Sequence, residues 1–320
     1  MKAIKVNSFG GPEVMQITDI PPLEPDAHQI KIKVEAIGVN PVDTYIRAGI
    51  YPIKPELPYT PGSDAAGTVT AVGEAVKSVQ LGQRVYNLRS ITGTYAEEII
   101  CEEGQVFALP DNVDFKRGAA IGVPYSTAFF ALHNRAQAKP GETLLIHGAS
   151  GAVGLAAIQI AKASGMRVIG TAGTVAGLRL LEEQGVIAAL NHNAENYLQP
   201  IQELTAGNGV DVVLEMLAHV NLAADLEIIA KYGRVVVIGN RGTIEIDPRM
   251  TKGKNAAILG MSLFNATYQE LQQIHAAVHA GLADGRYRPL INCELPLADA
   301  ARSHDLVMQN GINGKIVLIP

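Results

Sequence analysis

Hydrophobic and polar residues follow two different patterns along this chain of 320 residues. Up to about residue 120, short stretches with alternating apolar and polar residues are separated by clusters of proline, glycine and asparagine. A period of two is typical of half-buried strands. Residues 30–34 alternate in this way, and residues 68–72 and 83–86 are predicted to be further short strands. This pattern predicts a domain with an antiparallel, barrel-like sheet.

From about residue 122 to residue 263, short apolar runs alternate with helical stretches. Near-continuous apolar runs are typical of parallel strands that are covered on both faces. The predicted strands are residues 143–146, 167–172, 210–214, 234–239 and 256–260. The sequence therefore predicts a doubly wound α/β sheet, whose ligands bind beyond the carboxyl ends of the strands. Two helical stretches and a final strand at residues 315–319 follow.

A glycine-rich turn lies between the first of these strands and an Ala/Ile-rich helical stretch. Its sequence, residues 147–154, is His-Gly-Ala-Ser-Gly-Ala-Val-Gly. In such a turn Gly148 permits the tight bend, Gly151 lets backbone amides approach phosphates, and Gly154 lets the helix pack on the strand. The start of the helix offers unpaired N–H groups and a positive dipole end to an anion. We therefore expect a dinucleotide to bind here.

The second predicted strand, residues 167–172, indicates which dinucleotide is bound. An NAD site usually has a carboxylate at the end of this strand for the ribose 2′-hydroxyl. Here the first acidic residue after Gly154 is Glu182, and residues 171–174 are uncharged. This favours NADP(H).

Composition and charge exclude several classes of protein. Apolar residues make up 48% of the chain and charged residues 18%, which fits globular domains and not a disordered chain. The net charge is −5 and no dense block of Lys and Arg occurs, which disfavours nucleic acid or an anionic membrane as the main partner. Cys101 and Cys293 are too few for a disulfide framework, and we see no signal-peptide or bilayer-spanning stretch. These features predict a cytoplasmic protein without a membrane partner.

With these segments assigned, the chain resembles the medium-chain dehydrogenase/reductase superfamily, and within it the zinc-free, zeta-crystallin-like quinone oxidoreductases. The resemblance runs nearly from end to end. Its specific parts are residues 9–13, 39–47, 58–64, 147–154, 215–218 and 241–246. It implies a GroES-like, β-rich catalytic domain formed by residues 1–121 and 265–320, and a Rossmann domain formed by residues 122–264, with the active-site cleft between them. It also implies a homodimer or homotetramer, for which residues 243–246 are the predicted pairing edge.

The resemblance also assigns roles to individual residues around an NADPH cofactor. It implies that Tyr45 lies beside the nicotinamide and that Gly173 and His192 lie along the adenosine. Some relatives have Lys or Arg just after the second strand, where this chain has Thr174, so His192 and Arg241 are the candidates for the positive charge that a 2′-phosphate needs. The residues implied to contact the pyrophosphate are Ser150, Gly151, Ala152 and Val153. Those implied to line the rest of the site are Asn221, Ile238, Gly239, Asn240, Arg241, Met261, Ser262 and Leu263.

No metal is expected at the reaction centre. Where zinc-dependent relatives carry Gly-His-Glu, this chain has Gly62, Ser63 and Asp64, and two cysteines cannot form a four-cysteine zinc site. Reduction of a plain ketone leaves an alkoxide, which is as strong a base as hydroxide and needs a metal or a strong acid to stabilise it. Addition of hydride to a quinone or a conjugated enone leaves a phenolate or enolate, and a phenol has a pKa of about 10. Such an acceptor needs orientation more than acid catalysis.

Three residues are predicted to act on the acceptor. Tyr45 would stack on the ring or donate a hydrogen bond to it, and its alternative role is to form an amphipathic wall. Asn40 would polarise the acceptor oxygen, or serve only as a turn residue before Pro41. Thr127, at the start of the helix that links the domains, would contact the nicotinamide or only pack.

Other chemically capable residues are expected to be structural. His275 and His279 are spaced like metal ligands on one helix face but have no acidic partner between them, so we predict a solvated face. His147 is predicted to be a hydrogen-bonded core residue, and Cys101 an inert thiol.

Three functions remain compatible with the sequence. The leading one is NADPH-dependent quinone reduction without a metal, and the second is reduction of α,β-unsaturated carbonyls, including enoyl thioesters. The third is a cofactor-binding crystallin or RNA-binding role, which the acidic charge disfavours. The sequence leaves open the physiological acceptor and whether electrons pass as a hydride or singly.

Overall fold

The computed structural model describes residues 1–320, which form two compact units. The first unit comprises Met1–Val123 and His275–Pro320, and the second comprises Pro124–Ile274. The sequence-based boundaries lie at 121/122 and 264/265, so both observed boundaries lie further along the chain, the first by two residues and the second by ten. No helix combines the length and the apolar content that a bilayer-spanning segment needs.

Fifteen strands and ten helices make up the two units. The strands are β1 (Lys2–Val6), β2 (Met15–Asp19), β3 (Gln29–Val39), β4 (Asp64–Val72), β5 (Arg84–Leu88), β6 (Glu98–Glu102), β7 (Val106–Ala108), β8 (Thr143–Ile146), β9 (Arg167–Ala172), β10 (Ala188–Asn191), β11 (Val210–Glu215), β12 (Ile229–Val237), β13 (Ala257–Gly260), β14 (Ile291–Pro296) and β15 (Lys315–Ile319). The helices are α1 (Pro41–Arg47), α2 (Phe115–Gly118), α3 (Gly122–Phe129), α4 (Ala152–Ala163), α5 (Val175–Glu183), α6 (Pro200–Leu204), α7 (Ala218–Ile228), α8 (Arg249–Lys254), α9 (Tyr268–Ala283) and α10 (Ala300–Val307).

The first unit is built on a seven-stranded sheet that follows the alternation of its sequence. The strand order is β14-β15-β3-β4-β5-β7, and β6 pairs with β3. All of these pairs are antiparallel except β14 with β15. In β3, Ile30, Ile32 and Val34 are buried in the core, whereas Lys33 faces solvent. The period-two pattern therefore places one face of β3 on the core, as predicted.

The second unit contains a six-stranded, wholly parallel sheet of the predicted doubly wound type. Its strand order is β10-β9-β8-β11-β12-β13. The order reverses between β8 and β11, which are the two central strands. Every residue of β8 is buried, because helices cover both faces of the sheet. The crevice at such a reversal, beyond the carboxyl ends of the strands, is where ligands bind in this architecture.

Three local predictions need correction. The strand predicted at residues 234–239 begins at Ile229 and ends at Val237, because the N–H groups of Ile238 and Gly239 turn to the carbonyl of Glu215. The edge strand β10 had no predicted counterpart. Residues 243–246 are not a strand, although Ile244 and Ile246 pack against the core of this unit.

The prediction of a solvated face for both histidines of α9 is wrong for His275. This residue is buried, its Nδ1 lies 2.9 Å from the hydroxyl of Tyr86, and its ring stacks on Phe107. Burial lowers the pKa of His275 to about 3, so the ring is neutral. His279, one turn later, is exposed. The pair therefore cannot share a metal ion.

Candidate functional site

The turn between β8 and α4 has the conformation that its glycines predict. Gly148 has a φ of +58°, in the region that favours glycine. A Cβ at Gly154 would lie 2.5 Å from the Cα of Ala149, so only glycine lets the helix approach the turn this closely. The turn is fixed to β9, because the N–H of Ala149 donates to the carbonyl of Thr171 (2.8 Å) and that of Gly148 to its hydroxyl (3.1 Å).

Gly151 differs from these two glycines, because nothing in the protein requires it. Its φ is −74°, and a Cβ there would meet only the carbonyl oxygen of Gly148 at an ordinary 3.4 Å. Gly151 is the N-cap of α4 and provides no side-chain hydrogen bond to the first turn. The N–H groups of that turn have no intrahelical acceptor. Gly151 is bare in the sense that it has no side chain, so the space before these N–H groups is open. We call this space the cradle, and it fits the pyrophosphate of a dinucleotide.

Gly173, just after β9, lies against His192. A Cβ at Gly173 would lie 2.5 Å from Nε2 of His192, so the imidazole rests against the backbone there. The amide of Asn193 donates to the carbonyl of Gly173 (2.8 Å). Thr174 caps α5 by accepting a hydrogen bond from the N–H of Gly177 (3.0 Å). No carboxylate follows β9 directly, which suits a 2′-phosphate better than a free ribose.

Other predicted cofactor residues lie beyond the carboxyl ends of β11, β12 and β13. The carbonyl of Glu215 accepts hydrogen bonds from the N–H groups of Ile238 (2.9 Å) and Gly239 (3.1 Å). The amide of Asn221 donates to the carboxyl of Glu215 (3.2 Å). The loop after β12 continues through Asn240, whose amide donates to the carbonyl of Gly242 (2.7 Å), and the exposed Arg241. Met261, Ser262 and Leu263 follow β13 and are half-buried.

The residues predicted to act on the acceptor are divided between the units. Tyr45 and Asn40 lie at α1 in the first unit, and Thr127 lies in the second. Tyr45 is half-buried, whereas Asn40 and Thr127 are buried. Thr127 lies in the second turn of α3, which begins at Gly122 and not at Thr127 as predicted.

The side chain of Asn40 is engaged inside the first unit. Its carbonyl oxygen accepts a hydrogen bond from Nζ of Lys315 (2.5 Å), and its amide donates to Oδ2 of Asp64 (3.0 Å). Its backbone N–H donates to Asp43 (2.9 Å), which makes Asn40 the N-cap of α1 in a capping box. These contacts fix the start of the helix that carries Tyr45. They give Asn40 a positioning role that sequence reasoning did not weigh.

A second buried group of polar side chains holds the other face of α1. The hydroxyl of Tyr95 lies 3.5 Å from Oδ2 of Asp43 and 3.0 Å from Nε2 of His304. Nδ1 of His304 lies 3.3 Å from the guanidinium of Arg47, at the end of α1. Burial raises the pKa of Asp43 to about 7. Burial and the charge of Arg47 lower the pKa of His304 to about 3, so this ring stays neutral.

These contacts were not predicted, and they join residues far apart in the chain. The only local signal was the spacing of Asn40, Pro41 and Asp43, which matches the start of a capped helix.

The residues at the position of the zinc site in zinc-dependent relatives do not fit a metal. Oδ2 of Asp64 accepts hydrogen bonds from Lys315 (2.8 Å) and Asn40, and Oδ1 accepts one from the N–H of Val123 (2.8 Å). Both oxygens of this carboxylate therefore already accept hydrogen bonds from the protein. Cys101 is buried, and burial raises the pKa of its thiol, as expected for an inert residue.

His147 is a hydrogen-bonded core residue, as predicted. It is 3% exposed, and its Nε2 lies 2.8 Å from Oδ1 of Asp225.

Comparisons with known proteins agree with this architecture. Residues 26–111 match the alcohol dehydrogenase GroES-like domain, and residues 152–278 match the zinc-binding dehydrogenase family. The chain is 47% identical to the human quinone oxidoreductase over 100% of its own length and 98% of that protein. It superposes with a TM-score of 0.91 and 31% identity on the Escherichia coli quinone oxidoreductase complexed with NADPH, covering 100% of both chains. The CurK enoyl reductase matches with a TM-score of 0.90 and 26% identity, over 99% of this chain and 98% of that one.

The buried pair of Lys315 and Asp64 generates a prediction about stability. Lys315→Met leaves the carboxylate of Asp64 buried and uncompensated, so we expect the free energy of unfolding to fall by about 3–5 kcal/mol. Adding Asp64→Asn is expected to restore most of that loss. The measurement is urea unfolding, with Lys33→Met as the control on an exposed lysine of the same sheet. An equal loss in the single and double variants would show that the ion pair is not the cause.

Proposed function

The chain belongs to the zinc-free, zeta-crystallin-like quinone oxidoreductase family of medium-chain dehydrogenases/reductases, and on that premise we propose that it reduces quinones with NADPH. The observation that carries this proposal is the bare Gly151 before the unpaired amides of α4. It lies in a chain that is similar over its whole length to quinone oxidoreductases, one of which was solved with NADPH.

The second unit would hold the cofactor through residues beyond the carboxyl ends of its strands. The pyrophosphate would lie over Ser150, Gly151, Ala152 and Val153 and accept hydrogen bonds from the N–H groups of Ala152 and Val153, with support from the positive end of the α4 dipole. The N–H of Gly151 already donates to the carbonyl of Gly148 (3.1 Å). Gly173 and His192 would lie along the adenosine. Asn221 and the loops after β12 and β13 would line the remainder, through Ile238, Gly239, Asn240, Arg241, Met261, Ser262 and Leu263.

Of the two candidates for binding the 2′-phosphate, Arg241 is the stronger cation. Partial desolvation and the nearby His147 lower the pKa of His192, so its ring is a poor cation at neutral pH. A guanidinium is charged at every physiological pH and binds phosphate oxygens through two N–H groups. Arg241 is exposed, which suits contact with a bound ligand.

NADPH, when bound, supplies the hydride, and the protein's own residues orient the acceptor. Tyr45 would stack on the quinone ring or donate a hydrogen bond to it. Asn40 would act chiefly by fixing the start of α1, because its amide is already bonded to Asp64 and Lys315. Thr127 would contact the nicotinamide from α3. The product phenolate is a weak base, so water or a weak donor can protonate it without a metal.

Reduction of α,β-unsaturated carbonyls is the second candidate. The likeness to the CurK enoyl reductase favours it, and hydride addition to an enone has the same need for orientation. Turnover of an enone or enoyl thioester against turnover of a quinone separates the two.

We further propose that the protein is a cytoplasmic homodimer or homotetramer without a nucleic-acid partner. Two free cysteines fit a reducing compartment, and a net charge of −5 disfavours RNA. The strand β13 lies at one edge of the parallel sheet and leaves its outer hydrogen-bonding groups for a second copy. Residues 243–246, which form no strand, are the other predicted contact between copies.

The proposed assembly predicts a molecular mass in solution of at least twice 33.9 kDa by light scattering. Ile258→Lys, on the exposed side of β13, is expected to reduce that mass, because it places a charge on the pairing edge. A monomeric wild-type protein would contradict the proposed assembly.

The proposed reaction predicts NADPH oxidation with 1,2- or 1,4-quinones and a dependence on Tyr45. Tyr45→Ala is expected to lower kcat/KM for the quinone about tenfold, the value of one aromatic contact. Tyr45→Phe will retain activity if stacking dominates and lose it if the hydroxyl does. Tyr232→Ala, an exposed tyrosine at the amino end of β12, is the control. Cofactor binding without turnover of any quinone would rule out the proposed reaction.

The proposed cofactor site predicts that Gly151→Ala weakens NADPH binding without loss of stability. The added methyl contacts only the carbonyl of Gly148 at 3.4 Å, but it occupies the space that the phosphates need. We expect the Kd for NADPH to rise at least about tenfold, which corresponds to ~1.4 kcal/mol. Gly253→Ala, where nothing lies within 4 Å of the added Cβ, is the matched control. An unchanged Kd for Gly151→Ala would argue against the cradle.

A further inference from the structure

Behind the glycine turn lies a fully buried cluster of three titratable side chains. His147 follows β8, Glu215 ends β11, and Asp225 lies in α7. One imidazole nitrogen of His147 and one carboxyl oxygen from each acid all lie within 4.8 Å of one another, and no side chain is more than 3% exposed. Nε2 of His147 is 2.8 Å from Oδ1 of Asp225 and 3.5 Å from Oε2 of Glu215. We call this group the buried triad.

The two acids of the buried triad cannot both be ionised without a proton or a cation between them. Oε1 of Glu215 accepts hydrogen bonds from the N–H of Leu217 and the amide of Asn221. Oε2 of Glu215 and Oδ2 of Asp225 have no hydrogen-bond donor from the protein, and the two carboxyl groups approach within 4.8 Å of each other. Two ionised carboxylates this close, out of reach of water, would be strongly destabilised. One proton between them removes the conflict.

The neighbouring groups indicate where that proton lies. Burial raises the pKa of both Glu215 and Asp225 to about 7. Burial also lowers the pKa of His147, so the imidazole is neutral and donates to Asp225. Tyr197 faces His147 edge-on, and burial raises its pKa to about 12, which keeps it neutral. The nearby His192 is also neutral at this pH. The carboxyl pair is therefore the only part of this cluster that titrates near neutral pH.

The buried triad supports two of the loops that are proposed to hold the cofactor. His147 directly precedes Gly148, the first glycine of the turn. The carboxyl of Glu215 holds Leu217 and Asn221, and its carbonyl holds Ile238 and Gly239. Negative charge added at these loops acts on the carboxyl pair through a low-dielectric interior, where screening is weak.

We propose that NADPH binds preferentially to the form of the protein in which Glu215 and Asp225 share a proton, so that cofactor binding takes up a proton from solvent near neutral pH. This inference rests on the proposed cofactor site. Glu215 is a positioning residue in it, since it acts through Leu217 and Asn221. The anionic cofactor disfavours the doubly ionised pair, and by linkage the doubly ionised pair disfavours the cofactor.

The direction in which the Kd for NADPH changes with pH follows from this linkage. Below the pKa of the carboxyl pair in the free protein, the proton is already in place and the Kd for NADPH is independent of its titration. Above that pKa the proton must be taken up on binding, so the Kd rises with pH. For one proton the limit is about tenfold per pH unit.

The test is titration calorimetry of NADPH into the full chain between pH 6.5 and 8.5, in two buffers with different enthalpies of ionisation. We expect the heat to depend on the buffer, with uptake of up to about one proton, and a Kd that rises above pH 7. Glu215→Gln imitates the protonated acid, because its carbonyl accepts from Leu217 and Asn221 and its NH2 donates to Asp225. This variant is expected to lose the proton uptake and to keep its low-pH affinity at high pH.

The ligand's own titration is controlled by the same comparison. The 2′-phosphate of NADPH titrates near pH 6 and contributes equally to the wild type and to Glu215→Gln. Wild-type binding that is free of any buffer effect across this range would overturn the proposal even if the variant failed to fold. One equivalent of divalent metal that is retained by the wild type and lost by the variant would also overturn it, because a cation would then replace the proton. Absence of any NADPH binding would instead refute the proposed cofactor site.

Discussion

The unpaired N–H groups at the start of α4 are the constraint on which this structure depends. A helix that begins at the carboxyl end of a buried central strand presents these groups and the positive end of its dipole together. The protein does not satisfy them with a capping side chain, because Gly151 stands at the N-cap. Gly148 and Gly154 are required by backbone geometry, whereas Gly151 is required only if a ligand occupies the space beside it.

Both units place buried charge beneath the segments that carry function. In the first unit, Lys315 neutralises Asp64, and Asn40 joins the pair to the start of α1. In the second, a proton between Glu215 and Asp225 does what Lys315 does for Asp64. Loss of one partner from such a buried pair lowers the free energy of unfolding by several kcal/mol. The position of each segment therefore depends on an intact pair in the core. The proton differs from the lysine in one respect, since it can be lost within the physiological pH range.

Sequence reasoning succeeded where local pattern determines structure. The strands β8, β9 and β15 were predicted with their observed bounds, because buried or alternating apolar runs flanked by turn residues specify strands directly. The turn at Gly148 was predicted for the same reason. The short edge strand β10 was missed, because its alanines and half-buried positions give a weak pattern.

The failures concern contacts between distant residues. His275 was predicted to be solvated from its spacing to His279, but Tyr86 and Phe107 cover it. Nothing in the sequence near Asn40 indicates that Lys315, 275 residues away, donates a hydrogen bond to its side-chain carbonyl. Glu215 and Asp225 read as unrelated acids, and only the packing of α7 on the sheet brings them together. Side-chain partnership across a fold is a property of packing, which periodicity does not encode.

A crystal structure of the protein with NADPH would show whether the first turn of α4 holds the cofactor. We expect pyrophosphate oxygens about 2.7–3.2 Å from the N–H groups of Ala152 and Val153, over the Cα of Gly151. A dinucleotide bound elsewhere, with this turn in contact with solvent alone, would show that these N–H groups do not bind the cofactor.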